Sequence, residues 1–383
     1  MAGALEGIRI VEFANYVSGP YAGMLLGDLG AEIVKVEEPG VGDPFRGWGR
    51  VEYSPTFGSV NRNKKSVTLD LKSESGKADA RALVASADAV IENFRPGTME
   101  RLGLGYDSFS AANPGLIWCS ITGYGSDGPY AQRPGYDTVG QSTSGLLSLL
   151  TDISEPKPMG ISLSDHLAGI TASNGLLAAL VARGRTGRGQ KVETSLLEST
   201  LSFCGENAAG YFETGKTPGR ATRTHQAQVY AFTAGDGKAF VIHLSSPAKF
   251  WEALARVAGR PEWLEDERFK SAALRGKHYD TLNAGLAEIF ARDTRDAWLA
   301  KLQAADVPAA PLYTFDDVFA DPQVQHLQMR VDVAHPKLGS VGLVRNGLRL
   351  SDTPAEVRCC SPELGEHNDE ILGALRQRAA TPG

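Results

Sequence analysis

"IRIVEFANYVSGPYAGMLLGDLGAEIVKVE", residues Ile8 to Glu37, decides the fold. It opens on a β-branched run, "IRIVEF", which reads as a buried strand. "SGPYAGMLLGDLGA" follows, with Pro20 placed to open a helix and Gly30 to close it. "EIVKVE", from Glu32 to Glu37, reads as a second strand alternating in polarity. Strand, helix and strand in so short a span predict a βαβ unit, and therefore a parallel sheet.

The rhythm continues outward. "SVTLDL", "DAVIENF" and "GLIWCSITGYG" read as further strands, and "SESGKADARALVASA" as a helix with a Ser cap. Met159 to Gln190 is mostly small and apolar, a helix ending in the basic, glycine-rich turn "GRTGRGQ". "QKVETSLLESTLSFCGENAAGYF" adds a strand and one long helix. The expected class is α/β, a parallel sheet covered on both faces. Beyond residue 215 the texture changes. "TPGRATRTHQ", Thr217 to Gln226, reads as a polar linker. "VYAFTAGDGKAFVIHL" reads as an antiparallel hairpin turning on Gly235 to Gly237. Three amphipathic helices then begin near Lys249, Tyr279 and Arg295, giving a smaller α+β domain over 226–321. The tail holds a strand-like stretch, "LGSVGLVRNGLRLSD", and a short helix.

With 383 residues the chain is long enough for two domains. Its net charge is −6 and its longest basic run is "NRNKK", Asn61 to Lys65, which argues against nucleic-acid binding. The first residues lack the basic-then-apolar order of a signal peptide, and no apolar run reads as long enough to span a bilayer. The expectation is a cytoplasmic protein without membrane contact. Cys119, Cys204, Cys359 and Cys360 show no framework spacing and read as reduced thiols. The histidines are scattered, so no metal is expected.

"GYGSDG", Gly123 to Gly128, fits the dinucleotide pattern, but Pro129 follows and no acidic ribose partner ends a next strand. No phosphate-binding loop and no GxSxG elbow occur. "ENFRPGTMERLG" begins where a strand ends, the place where open α/β sheets bind ligands. There Asn93, Phe94 and Arg101 offer an amide, an aromatic face and a cation, which suit an adenine nucleotide. Asp165 stands at the head of the apolar helix with no Lys or Arg near it in sequence. Taken locally it reads as a helix cap, although Ser162 and Ser164 are equally good caps. Gly160 and Gly169 are read as leaving room beside it for something bulky.

"LEGIRIVEFANYVSGPYAGMLLGDLGAEIVKVEEPGVGD", "NRNKKSVTLDLK", "ENFRPGTMERLG", "TGYGSDGPYAQRPGYD", "SDHLAG", "ARGRTGRGQKVETSLLES" and "LGEHNDEIL" closely resemble the class III CoA-transferases, the CaiB/BaiF family that includes formyl-CoA:oxalate CoA-transferase. The resemblance implies a Rossmann-like large domain built from both chain ends, 1–215 and 322–383, and two chains interlocked as a homodimer. It implies acyl-CoA and a small carboxylic acid as substrates, with no permanent cofactor. It makes Asp165 the nucleophile and Tyr136 an active-site residue, with Asp137 as its acidic neighbour. Tyr16, Val17, Leu69, Lys72, Asn93, Phe94 and Arg101 match positions that hold CoA. A carboxylate with an ordinary pKa near 4 is ionised at neutrality and needs no base to attack a thioester.

The chain also departs from the formyl-CoA:oxalate enzyme. Glu38 replaces an arginine, so the 3′-phosphate of CoA is expected to turn to Arg62, Lys64 or Lys65. Val17 replaces a glutamine, and "THQAQVYAF" lacks a tetraglycine loop, which argues against oxalate as acceptor. His225 and Gln226 align with the small-domain position nearest the acyl group, or serve as a hinge. Arg46, Arg50 and Arg133 are candidate partners for a second carboxylate. The rival reading is an α-methylacyl-CoA racemase, whose proton-moving histidine aligns with Tyr136. A phenol with a pKa near 10 is a poor base for that role. A non-catalytic CoA-binding scaffold is a third reading.

Overall fold

The structure is a computed structural model that describes residues 2–49, 53–245 and 247–380. It forms two compact units. One comprises Met1–Leu147, Pro158–Glu206 and Gln325–Gly383, and the other Ser148–Lys157 and Asn207–Val324. The large unit carries six strands: β1 (Arg9–Phe13), β2 (Glu32–Glu37), β3 (Lys64–Thr68), β4 (Ala89–Glu92), β5 (Ile117–Thr122) and β6 (Lys191–Ser195). All pair in parallel in the order β3-β2-β1-β4-β5-β6. The order reverses between β1 and β4, the switch point of a doubly wound sheet.

Strand residues alternate between two apolar layers, as the period of two requires. Ile10, Ile33, Ile91 and Cys119 face helices α1 (Ser18–Asp28) and α4 (Leu163–Thr186), where Leu26, Ala168, Ala172 and Leu176 meet them. Val11, Val34, Val90 and Trp118 face α2 (Glu74–Ala85), and Ile371 and Leu372 from the chain's end join that layer. Local chemistry fixes the helix ends. Ser73 Oγ accepts from Gly76 N at 3.0 Å, and Gly187 closes α4 at φ 68°.

Helix α4 has 24 residues and is long and apolar enough, by length and composition, to cross a membrane, which corrects the reading that no such run exists. Its alanines pack on the sheet instead. The strand-like tail does not extend the central sheet. Strands β10 (Arg330–His335) and β11 (Gly339–Val344) pair with each other, burying Val333, Val341 and Leu343.

In the second unit β7 (Val229–Thr233), β8 (Ala239–His243) and β9 (Ala309–Pro311) form an antiparallel sheet under helices Ala248–Val257, Tyr279–Phe290 and Arg295–Ala304. Tyr230, Phe240, Leu286 and Trp298 lie in its core. The expected linker at 217–226 is largely helix, Arg220–Ala227. Pro218 and Gly219 end the irregular stretch, and the polar residues after them are surface residues of a helix. Gly219 N donates to Thr222 Oγ1 at 2.9 Å to start it. The expected long helix after β6 breaks at Cys204 into α5 (Leu196–Phe203) and Gly205–Thr214, because Gly205 weakens helical continuity there. The large unit ends this stretch at Glu206, whereas the sequence carried it to residue 215.

Candidate active site

At the carboxyl ends of β1, β4 and β5 the large unit holds a cavity of about 240 Å³. Two asparagines build its floor. Asn93 Oδ1 accepts from Asn15 N at 3.0 Å, and Asn93 Nδ2 donates to Asn15 O at 2.8 Å. One side chain thus clips the end of β4 to the end of β1. Phe94 follows half-buried on the wall, its N–H donating to Glu92 Oε2 at 2.9 Å. Burial, with repulsion from Glu100 and Glu193, pushes the Glu92 carboxyl up to about 7. Opposite, Tyr16 takes a left-handed φ of 64° and sets its ring edge-on to Phe45 and Tyr136, with centroids 5.4 and 5.9 Å apart. Val17 is buried against Phe45 and Phe57.

Asp165 faces this cavity from the first turn of α4. It does not cap the helix. Ser162 holds the N-cap position, and no side chain there makes the capping bond. Instead Asp137 Oδ1, from helix α3 (Asp137–Thr143), accepts from Asp165 N at 3.2 Å. Asp137 Oδ2 is held in turn by Gln141 Nε2. The Asp165 carboxylate has no hydrogen-bond or ion-pair partner among the described residues. Burial, reinforced by the Asp137 charge, pushes its carboxyl up to about 7. Full ionisation at neutrality, as expected from an ordinary carboxylate, is therefore corrected. Near pH 7 the group is divided between its two forms. The room inferred at Gly169 serves packing, since a Cβ there would sit 2.8 Å from Ser18 O and 3.0 Å from the Tyr21 ring. At Gly160 the space is open.

A lone, partly desolvated carboxylate at the switch point suits acyl transfer, and comparison with known proteins decides the family. The model of CoA-transferase family III matches residues 5–368. The chain belongs to that family. Succinyl-CoA–D-citramalate CoA-transferase of Chloroflexus aurantiacus is 36% identical over 97% of this chain and 94% of its own length. Human succinyl-CoA:glutarate CoA-transferase is 33% identical over 96% of this chain and 85% of its own. A CaiB/BaiF protein of Brucella suis superposes with a TM-score of 0.86 at 36% identity, over 98% of this chain and 100% of that one. The chain is thus an enzyme, a CoA-transferase acting on CoA thioesters.

In this CoA-transferase the cations are distributed otherwise than the sequence suggested. Lys64 and Arg62 do not wait for a phosphate. Lys64 Nζ is fully buried on Glu12, and Arg62 forks onto Asp28 at 3.0 and 2.7 Å. Lys65 is taken by Glu32 and Glu370. Lys72 stays exposed and touches Glu38 at 3.1 Å. Arg101 is exposed beside Thr98 and does not line the cavity. Leu69 also lies away from it, in the apolar core with its N–H on Glu37 O. Arg46 forks onto Glu37, whose carboxyl is held at about 2 because Arg46, Lys35 and Ser66 outweigh its burial. Arg133 does line the cavity, its guanidinium 3.6 Å above the Tyr130 ring. Arg95, which the sequence reading passed over, lines it too. Its only signal was its place two residues after the Asn93 clip. Arg50 lies outside the described residues. His225 and Gln226 belong to helix Arg220–Ala227 of the second unit, with His225 stacked on Tyr279 at 4.2 Å.

The geometry gives racemase chemistry little support. Among the described residues no histidine lines the cavity. His166 Nδ1 is bonded to Ser162 O at 2.6 Å and its ring packs against Tyr21.

Proposed function

We propose that the enzyme carries CoA from a donor such as succinyl-CoA to a second carboxylic acid through covalent intermediates on Asp165. The carrying observation is the unpartnered Asp165 carboxylate in the cavity that Asn93 and Phe94 also line. A carboxylate oxygen attacks the acyl carbon, the C–S bond breaks, and CoA leaves as thiolate. The product is an aspartyl anhydride. The thiolate attacks the aspartyl carbonyl, giving an aspartyl-CoA thioester and freeing the donor acid. The acceptor carboxylate then attacks the aspartyl carbonyl, the C–S bond breaks and CoA leaves again as thiolate, which gives the second anhydride. Thiolate attack on the acceptor's acyl carbon gives the new acyl-CoA and restores Asp165. Each step exchanges acyl groups of similar energy, so no ATP enters. Water must be excluded while the anhydrides exist.

Arg133 and Arg95 on the wall support a dicarboxylic acyl group, whose far carboxylate would need a cation. Tyr136, 63% exposed at the rim, and Tyr16 and Val17 on the wall are read as acyl-CoA contacts, and Lys72 as the cation nearest the nucleotide end. A panel of acyl-CoA donors and acids, followed by mass spectrometry of the CoA products, tests the reading. Transfer between succinyl-CoA and a dicarboxylate is expected. CoA binding without turnover across the panel would favour the scaffold.

The shifted carboxyl gives a pH test. Ionised Asp165 is the reactive form, so kcat/KM rises with pH and levels off above about 7. Below that it falls roughly tenfold per unit. Asp137→Asn removes the repelling charge and moves this limb to lower pH. A flat profile between pH 5.5 and 8 contradicts the assignment.

We also propose a homodimer. Val181 and Phe203 on the large unit are 63% and 60% exposed, large apolar side chains that a second chain would cover. Light scattering tests it, and a monomer at working concentration would rule it out. The four free cysteines support a cytoplasmic setting.

A further inference from the structure

The basic run "NRNKK" and the alternating strand "EIVKVE" meet inside the protein, and the function above leaves their charges unused. Glu12 on β1 and Lys35 on β2 are direct cross-strand partners, both fully buried, with Lys35 Nζ 3.1 Å from Glu12 Oε1. Lys64 Nζ meets the same carboxylate at 3.0 and 2.8 Å. Gly23 makes the space, because a Cβ there would lie 2.1 Å from Glu12 Oε2. Asp43 completes the group. Its Oδ2 has no aligned hydrogen bond but faces Lys35 Nζ at 2.9 Å as an ion pair. Burying four charges rarely stabilises a fold more than apolar side chains of the same volume, so their use lies elsewhere.

Lys35 and Asp43 also grip the loop between β1 and α1, and Lys64 holds the first turn of α1 that follows it. Lys35 Nζ donates to Ala14 O at 2.6 Å, and Lys64 Nζ to Pro20 O at 2.7 Å. Asp43 Oδ1 accepts from Tyr16 N at 3.2 Å and from Phe45 N at 3.0 Å. The gripped loop is the one that carries Tyr16 and Val17 into the cavity wall. Tyr16 sits there at φ 64°, a conformation that side chains other than glycine rarely adopt.

We infer that Asp43 and Lys35, backed by Glu12 and Lys64, are positioning residues that hold Tyr16 in its left-handed turn and so keep the acyl-CoA cavity formed before substrate arrives. This rests on the Asp165 cavity being the acyl-CoA site. A loop not held would populate competent and incompetent forms, and apparent affinity falls by the competent fraction. Bound substrate restores the loop, so turnover at saturation is spared.

The test measures kcat and KM for the acyl-CoA donor in Asp43→Ala, with circular dichroism as the check on folding. KM is expected to rise about tenfold or more while kcat stays within about threefold. The same change in a Tyr16→Gly background is expected to raise KM less than about threefold, because glycine reaches that φ unaided. Should Asp43→Ala not fold, Asp43→Asn keeps an acceptor for Tyr16 N, removes the charge facing Lys35, and is expected to raise KM about threefold. A KM unchanged in a folded variant overturns the inference, as does an equal effect in both backgrounds. Asp165→Ala is run alongside. If it retains full transfer, the reading of the site fails. If it is inactive while the Asp43 variants behave as wild type, only the positioning role fails.

Discussion

Asp165→Ala lowers CoA transfer by at least about 10³-fold, a loss of roughly 4 kcal/mol of transition-state stabilisation, while acyl-CoA binding persists. Among the described residues no other group takes its place. Asp137 is occupied by the Asp165 N–H and by Gln141, and His166 is held against Ser162 and Tyr21. Turnover with acid labelled by heavy oxygen gives a second readout, since one oxygen passes into the aspartate side chain of the wild type and peptide mass spectrometry detects it. Normal transfer by the alanine variant, or the absence of label, sinks the covalent route. Stability moves the other way. A carboxyl whose folded pKa lies above its unfolded value binds more protons in the native state, so stability falls as pH rises from about 4 to about 7. Asp165→Asn removes that penalty, and thermal melting at pH 8 is expected at the wild-type temperature or about 2 °C above it.

Glu12→Gln is the most damaging change expected outside the cavity. It leaves two fully buried ammonium groups to share Asp43 and costs about 3–5 kcal/mol, a fall in Tm of roughly 5 °C. Lys64 already bears the shortage. Burial, opposed by Glu12 and aided by repulsion from Lys35, lowers it to about 8, whereas Glu12, Asp43 and Glu37 together raise Lys35 despite its burial. Without Glu12, Lys64 releases its proton more readily, so the destabilisation is smaller at pH 9 than at pH 7. Lys65→Ala is the contrast. Its partners Glu32 and Glu370 are 31% and 55% exposed, and the loss stays within about 1 kcal/mol. Equal effects from these two changes would refute the account of the buried charges.

The parts legible in the sequence were those governed by neighbours along the chain. Ser73 caps α2 and Gly187 ends α4 because both act within one turn of backbone. The residues 220–227 were misread because their polarity suits a helix surface as well as a loop. Asp165 looked like a cap because the competing acceptor, Asp137, lies 28 residues away in sequence.

Alone, the sequence determined the parallel α/β sheet, since alternation, caps and breakers act over a few residues and need no distant partner. Only the tertiary structure decided what the charges do. Glu12 meets Lys35 and Lys64 across 23 and 52 residues, contacts that exist only after β1, β2 and β3 align in register. Lys64 and Lys65 are chemically the same, and the pleat alone sends one inward to Glu12 and the other outward to Glu32. The same alignment brings Asn93 against Asn15 and shapes the cavity in which Asp165 is left unpaired.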